Sequence, residues 1–157
     1  MKKELCNCIT DLVTGEKQME LITPKLYFDS EEEANNIFDE WKDRLFLNDW
    51  NIVLDFADNL DGNAGLSNVQ WVNSCGMVTL LNARTLKKEQ ANSIEKSPQE
   101  QTMIHELLHF KYLGVEGNKQ IEDIYYEEMQ HRLLEQIAKS LYMAKYNIDY
   151  EWFKVDN

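Results

Sequence analysis

The chain has 157 residues, 43% hydrophobic and 28% charged, a length and balance that suit one folded domain with its own core and exclude a largely disordered chain. Its 16 basic residues against 28 acidic ones leave a formal charge of −12 with no block of Lys or Arg, which argues against nucleic acid or an anionic membrane as partner. No stretch approaches the roughly 20 apolar residues of a membrane span, and residues 1–20 hold no apolar run long enough for a secretory leader, so a cytoplasmic location is expected.

Residues 1–28 lack a clear period and are expected to be an arm or a short hairpin. Cys6, Cys8 and Cys75 are three cysteines, an odd number that makes no disulfide framework. Ser30 to Leu47 reads as a helix: Ser30 can cap it with Glu33 completing a capping box. Ala34, Ile37, Phe38, Trp41, Leu45 and Phe46 then make an apolar stripe. Trp50 to Phe56 is β-prone. Asp58 to Gly65 has the Asn, Asp and Gly of a turn, without the ligand register of a calcium loop. Leu66 to Val72 and Met77 to Leu81 read as two strands of a hairpin joined through Asn73 to Gly76. Asn82 to Lys96 is polar, with room for a short helix. Ser97, Pro98 and Glu100 fit N-cap, N1 and N3 of a new helix running to about Leu113 and ended by Gly114 or Gly117. A last long helix is expected from about Gln120 to Tyr146. The sum is an α+β fold: a helix, a small sheet containing antiparallel strands, then two helices, in a domain over residues 29–147 with a tail at 148–157.

The chemistry concentrates in His105-Glu106-Leu107-Leu108-His109. Residues four apart on a helix share one face, with Cβ atoms roughly 5–6 Å apart, so two imidazoles can reach one zinc ion at about 2.0–2.1 Å. A zinc held there polarises a scissile carbonyl and acidifies water, and Glu106, next in sequence to His105, is placed to act as general base. Met103, Ile104, Leu107 and Leu108 let the helix be buried. A catalytic zinc takes three protein ligands. The continuation that would supply a third His after a glycine turn is absent, because Tyr112 and Val115 stand at those places.

The remaining candidates are Glu122, Asp123, Glu127, Glu128 and His131 on the last helix. With about 100° per residue and Ile124 at zero, Leu134, Ile137, Ala138 and Leu141 fall at about 280°, 220°, 320° and 260°. A buried face centred at about 270° then includes Glu127 at about 300°, touches His131 at about 340° and leaves Glu128 outside at about 40°. A carboxylate on a buried face needs a cation, so Glu127 ranks first as third ligand. His131 remains open as a replacement ligand, a partner of the ligands, a donor to the transition-state oxyanion, or a plain helix histidine.

These residues resemble the gluzincin metallopeptidases and, more narrowly, the compact SprT-like metallopeptidase domains of bacteria and phages. The likeness is carried by Trp50 to Phe56, Gly76 to Asn82, Met103 to His109 and His131 to Leu141. It implies a zincin-like core in which a small sheet packs on an active-site helix and a C-terminal ligand helix, with an extra helix ahead of it here. It also implies zinc on His105 and His109, Glu106 as base, and an edge strand, here Met77 to Leu81, that accepts a peptide backbone. The zinc-ribbon cysteines and basic character of some SprT-like proteins are missing. The expected function is a zinc metallopeptidase acting on a peptide or protein. The alternative is a catalytically silent zinc-binding regulatory or interaction protein on the same scaffold, which would have no need of Glu106.

Overall fold

The computed structural model describes residues 23–116 and 124–154, with the side chains of 92, 113–116 and 124–127 outside that description. The expected N-terminal arm lies outside it up to residue 22, and Cys6 and Cys8 with it. The described chain is α+β, with four α-helices and a three-stranded mixed sheet.

Helix α1 (Glu31–Arg44) begins as its sequence dictates, the Ser30 hydroxyl accepting the Glu33 N–H at 3.1 Å. Glu33 does not close a capping box on Ser30; its carboxylate takes the Asp29 N–H one residue earlier, at 2.6 Å. Ala34, Phe38 and Trp41 are buried on the inner face. The helix stops short of the expected Leu47. Phe46 turns left-handed at φ 54°, and the N–H groups of Phe46 and Leu47 reach back to the carbonyls of Asp43 and Lys42. This is a Schellman ending with a phenylalanine where glycine is usual. Phe46 is thrown outward, 81% exposed, while Leu47 enters the core.

The sheet is built from β1 (Asn51–Ala57), β2 (Gly65–Gln70) and β3 (Cys75–Leu81), in the order β1-β3-β2. β2 and β3 form the expected antiparallel hairpin, though the connection is Trp71 to Ser74, with Ser74 left-handed at φ 47°. β1 runs parallel to β3, from Asn51 opposite Cys75 to Ala57 opposite Leu81. One expectation is overturned here. Met77 to Leu81 is not an edge strand: β3 is central, and its backbone groups pair on both sides. The outer side of β2 pairs with no strand among the described residues.

After a short helix α2 (Ala83–Glu89) in the polar stretch, α3 (Gln99–Glu116) enters the middle of the molecule. Its first backbone hydrogen bond runs from the Thr102 N–H to the Pro98 carbonyl, so Pro98 holds the cap position expected of Ser97. The helix passes Gly114 and is described as far as Glu116, so of the two glycines expected to end it Gly114 does not. Glu100 turns inward rather than back to the cap. Its carboxylate accepts from Trp41 Nε1 at 2.7 Å and Lys145 Nζ at 2.8 Å, and from the Tyr146 hydroxyl. That buried charge is thus paired and ties α3 to α1 and to α4 (Ile124–Tyr146). Met103, Ile104, Leu107 and Phe110 carry α3 into a core shared with Val78 and Leu80 of the sheet and Leu134, Ala138 and Tyr142 of α4.

Two glycines let α3 lie tight beneath the hairpin. A Cβ at Gly65 would stand 2.8 Å from Thr102 Cγ2, and one at Gly76 would stand 2.5 Å from Phe110 Cε1 and 2.3 Å from the Asn68 carbonyl oxygen. The described part of the segment expected as a C-terminal tail, 148–154, packs on the core. Asn147, left-handed at φ 51°, closes α4, and the chain turns so that Phe153 is fully buried and Lys154 bridges to Glu95.

Candidate metal centre

His105, Glu106 and His109 lie on the stretch of α3 that is buried from Met103 to Phe110, and all three are under 10% exposed. The one-turn spacing does what helical geometry requires. The Nε2 atoms of His105 and His109 face each other at 3.3 Å, with ring centroids 5.0 Å apart. Two nitrogens bound to one tetrahedral zinc at about 2.0–2.1 Å would stand roughly 3.3–3.4 Å apart. The pair therefore already has the edge length of such a site.

His131 completes the group from α4. Its ring stacks on His105 at 5.6 Å and lies 5.0 Å from His109. One ring nitrogen from each of the three lies within 4.8 Å of the others, a set able to hold a metal ion. That span is wider than a tetrahedral edge, and His131, exposed at the rim, is the member with room to adjust. Burial, together with its neighbours His105 and His131, pushes the His109 imidazole down to about 4. At neutral pH it is uncharged with a lone pair free, the form a metal requires.

Glu106 lies on the floor of a cleft of about 450 Å³ bounded by Asn63 to Ser67, Ser97, Thr102, the three histidines and Glu135. Burial raises its pKa above the ordinary carboxylate value, against the pull of His105 and a hydrogen bond from Ser67. A carboxylate whose pKa is raised holds a proton more readily than a free one, as a group that takes and returns protons must. Ser67 and Gly65 both come from β2, so the open strand edge and the histidines border one cleft.

The expected ligands His105 and His109 are brought together, with Glu106 beside them and His131 across from them. Glu127 lies in α4, but its side chain is outside the described residues, as are Glu122 and Asp123. Glu128 is exposed. Three participants were not singled out from sequence: Ser67, Gln101 and Glu135. Glu135 Oε2 stands 3.2 Å from His105 Nδ1, and Gln101 Nε2 donates to the other carboxylate oxygen. The signal for Glu135 was its place one helical turn after His131. It was hidden by the assumed phase of α4, which is buried along Leu134, Ala138 and Tyr142 while Ile137 is exposed. Those three lie at about 280°, 320° and 0°, so the face centres at about 320°, close to His131. No family model, no curated protein and no solved structure matches this chain.

Proposed function

We propose that the chain is a zinc-dependent metallopeptidase on a zincin-like scaffold, with His105, His109 and His131 as the protein ligands and Glu106 as general base. His131 replaces Glu127, the first choice from sequence, because its ring stands with the other two at the cleft. The observation that carries the reading is the 3.3 Å approach of two Nε2 atoms beside a buried carboxylate. Three imidazoles suit zinc and leave a fourth position free, the pattern of a catalytic site. When bound, zinc supplies a Lewis acid that polarises the scissile carbonyl and acidifies water.

The chain's own residues do the rest. Glu106 Oε takes a proton from water and passes it to the departing amide nitrogen, its raised pKa keeping both transfers accessible. Ser67 of β2 lies beside that carboxylate and favours its charged form. The outward N–H and C=O groups of β2, which pair with no strand among the described residues, receive an extended peptide as an added strand, the task expected of Met77 to Leu81.

The test is metal content and peptide-library hydrolysis of the purified chain. One zinc per chain is expected. His105→Ala, His109→Ala and His131→Ala should each lose it, and Glu127→Ala should keep it. Glu106→Gln should keep zinc and lose hydrolysis by roughly 10²- to 10⁴-fold. Zinc retained by His131→Ala but lost by Glu127→Ala would restore the original ligand choice. Zinc without hydrolysis in the wild type would leave a binding protein on the same scaffold.

A further inference from the structure

Gln101 and Glu135 border the histidines without a part in the reaction as described. Gln101 lies one turn before His105 on α3, and Glu135 lies one turn after His131 on α4. They meet across the helix interface, where Gln101 Nε2 donates to Glu135 Oε1. Gln101 is 4% exposed and its amide oxygen has no hydrogen-bond partner among the described residues, where this buried amide serves the carboxylate alone. The other oxygen, Glu135 Oε2, stands 3.2 Å from His105 Nδ1. The two atoms are in contact without the alignment of a hydrogen bond, and the buried Nδ1 has no hydrogen-bond partner among the described residues. The opposite nitrogen of the same ring, Nε2, faces His109. The His105 ring is thus bracketed, with a carboxylate on its Nδ1 side and the ligand group on its Nε2 side.

We propose that Glu135, held by Gln101, is a positioning residue that keeps the His105 proton on Nδ1 and so presents an unprotonated Nε2 to the metal. A neutral imidazole carries one ring proton, and a carboxylate beside one nitrogen decides where it sits. With the proton at Nδ1, the lone pair is at Nε2, on the side that faces His109. The negative charge also makes the ring a stronger donor. Glu135 cannot share the ligand role from this position, because it approaches the ring from the side away from His109. The inference rests on the metal reading of the three histidines.

The experiment uses the full chain and two readouts. Nitrogen-15 NMR of the histidine rings in metal-free protein reports the tautomer, and competition with a chromophoric chelator reports zinc affinity. In the wild type, His105 is expected as the Nδ1–H tautomer. In Glu135→Ala it should shift toward Nε2–H, and zinc binding should weaken by roughly 10- to 100-fold. Gln101→Leu should move both readouts the same way by less. Glu128→Ala removes an equal charge from the same stripe of α4, two turns before Glu135 and without the contact to His105 Nδ1, and should move neither. A His105 tautomer unchanged in Glu135→Ala, or zinc affinity within about twofold of wild type, would overturn the positioning role. Complete zinc loss in Glu135→Ala, equal to that in His105→Ala, would make Glu135 a ligand instead and overturn it as well. A wild-type chain that binds no zinc would overturn the metal reading beneath it, and that is seen before any variant is compared.

Discussion

His109 bears a cost that the metal-free protein must carry. Its folded-state pKa is about 4 against 6.5 for an unperturbed imidazole, so between those values the unfolded chain holds a proton that the folded chain refuses. Stability therefore falls as pH drops through this window, by about 3 kcal/mol from this group. Glu106 works in the opposite sense: its raised pKa lets the folded chain take up a proton more readily than the unfolded one. Urea unfolding of metal-free wild type and His109→Gln isolates the histidine. The wild type should lose markedly more stability between pH 6.5 and 4, and parallel pH curves would remove the buried neutral imidazole. Zinc should steepen the wild-type curve, because it binds only the folded, deprotonated form and so adds stability at neutral pH that is lost as pH falls.

At the scale of elements, the site depends on how closely α3 lies under the β2–β3 hairpin. Gly76 allows Phe110 to fit beneath β3, and a Cβ there meets backbone as well as ring, neither of which can yield cheaply. Gly76→Ala should cost about 1–3 kcal/mol, the usual penalty of overpacking, measurable by urea unfolding. Gly65→Ala differs, because the new methyl meets the side chains of Thr102 and Glu106, and the Glu106 carboxylate can swing away. Its expected signature is lost hydrolysis with zinc binding retained and a smaller stability loss than Gly76→Ala. Neither glycine's task was legible from sequence. Gly65 read as the end of a turn and Gly76 as part of a hairpin connection, since close approach belongs to the partner helix as much as to the glycine. The phase of α4 was misjudged for a similar reason. Ile137 reads as buried because it is apolar, yet it is exposed; the buried row faces α3 and runs through Leu134, Ala138 and Tyr142, with Leu141 half-buried beside it.

At the scale of the whole molecule, the final turn closes the core. Phe153 is fully buried against Tyr142 and Trp152, and Lys139 and Lys154 bond to Glu95 and Glu151 around it. Phe153→Ala should destabilise the chain by about 3–5 kcal/mol, whereas Val72→Ala, at a side chain 97% exposed, should stay within about 0.5 kcal/mol. Thermal unfolding of both variants makes the comparison, and equal midpoints would return residues 148–157 to the status of a tail. The paired charges of Glu100, Lys145 and Glu40 add a second tie, joining α1, α3 and α4 on the far side of α3 from the cleft lining.

The sequence by itself determined what is local. Ser30 capping α1, the β2–β3 hairpin, and two imidazoles with a carboxylate on one buried helix follow from spacings of a few residues, which backbone geometry converts directly into distances. What it left undecided depends on contacts between segments far apart in the chain. The parallel pairing that makes β3 central, the meeting of His131 and Glu135 with α3, and the burial of Phe153 are settled only when the helices and sheet pack. A side chain's direction on its own element is set by periodicity, but which neighbour it meets is set by the rotation and register at which two elements share their apolar surface.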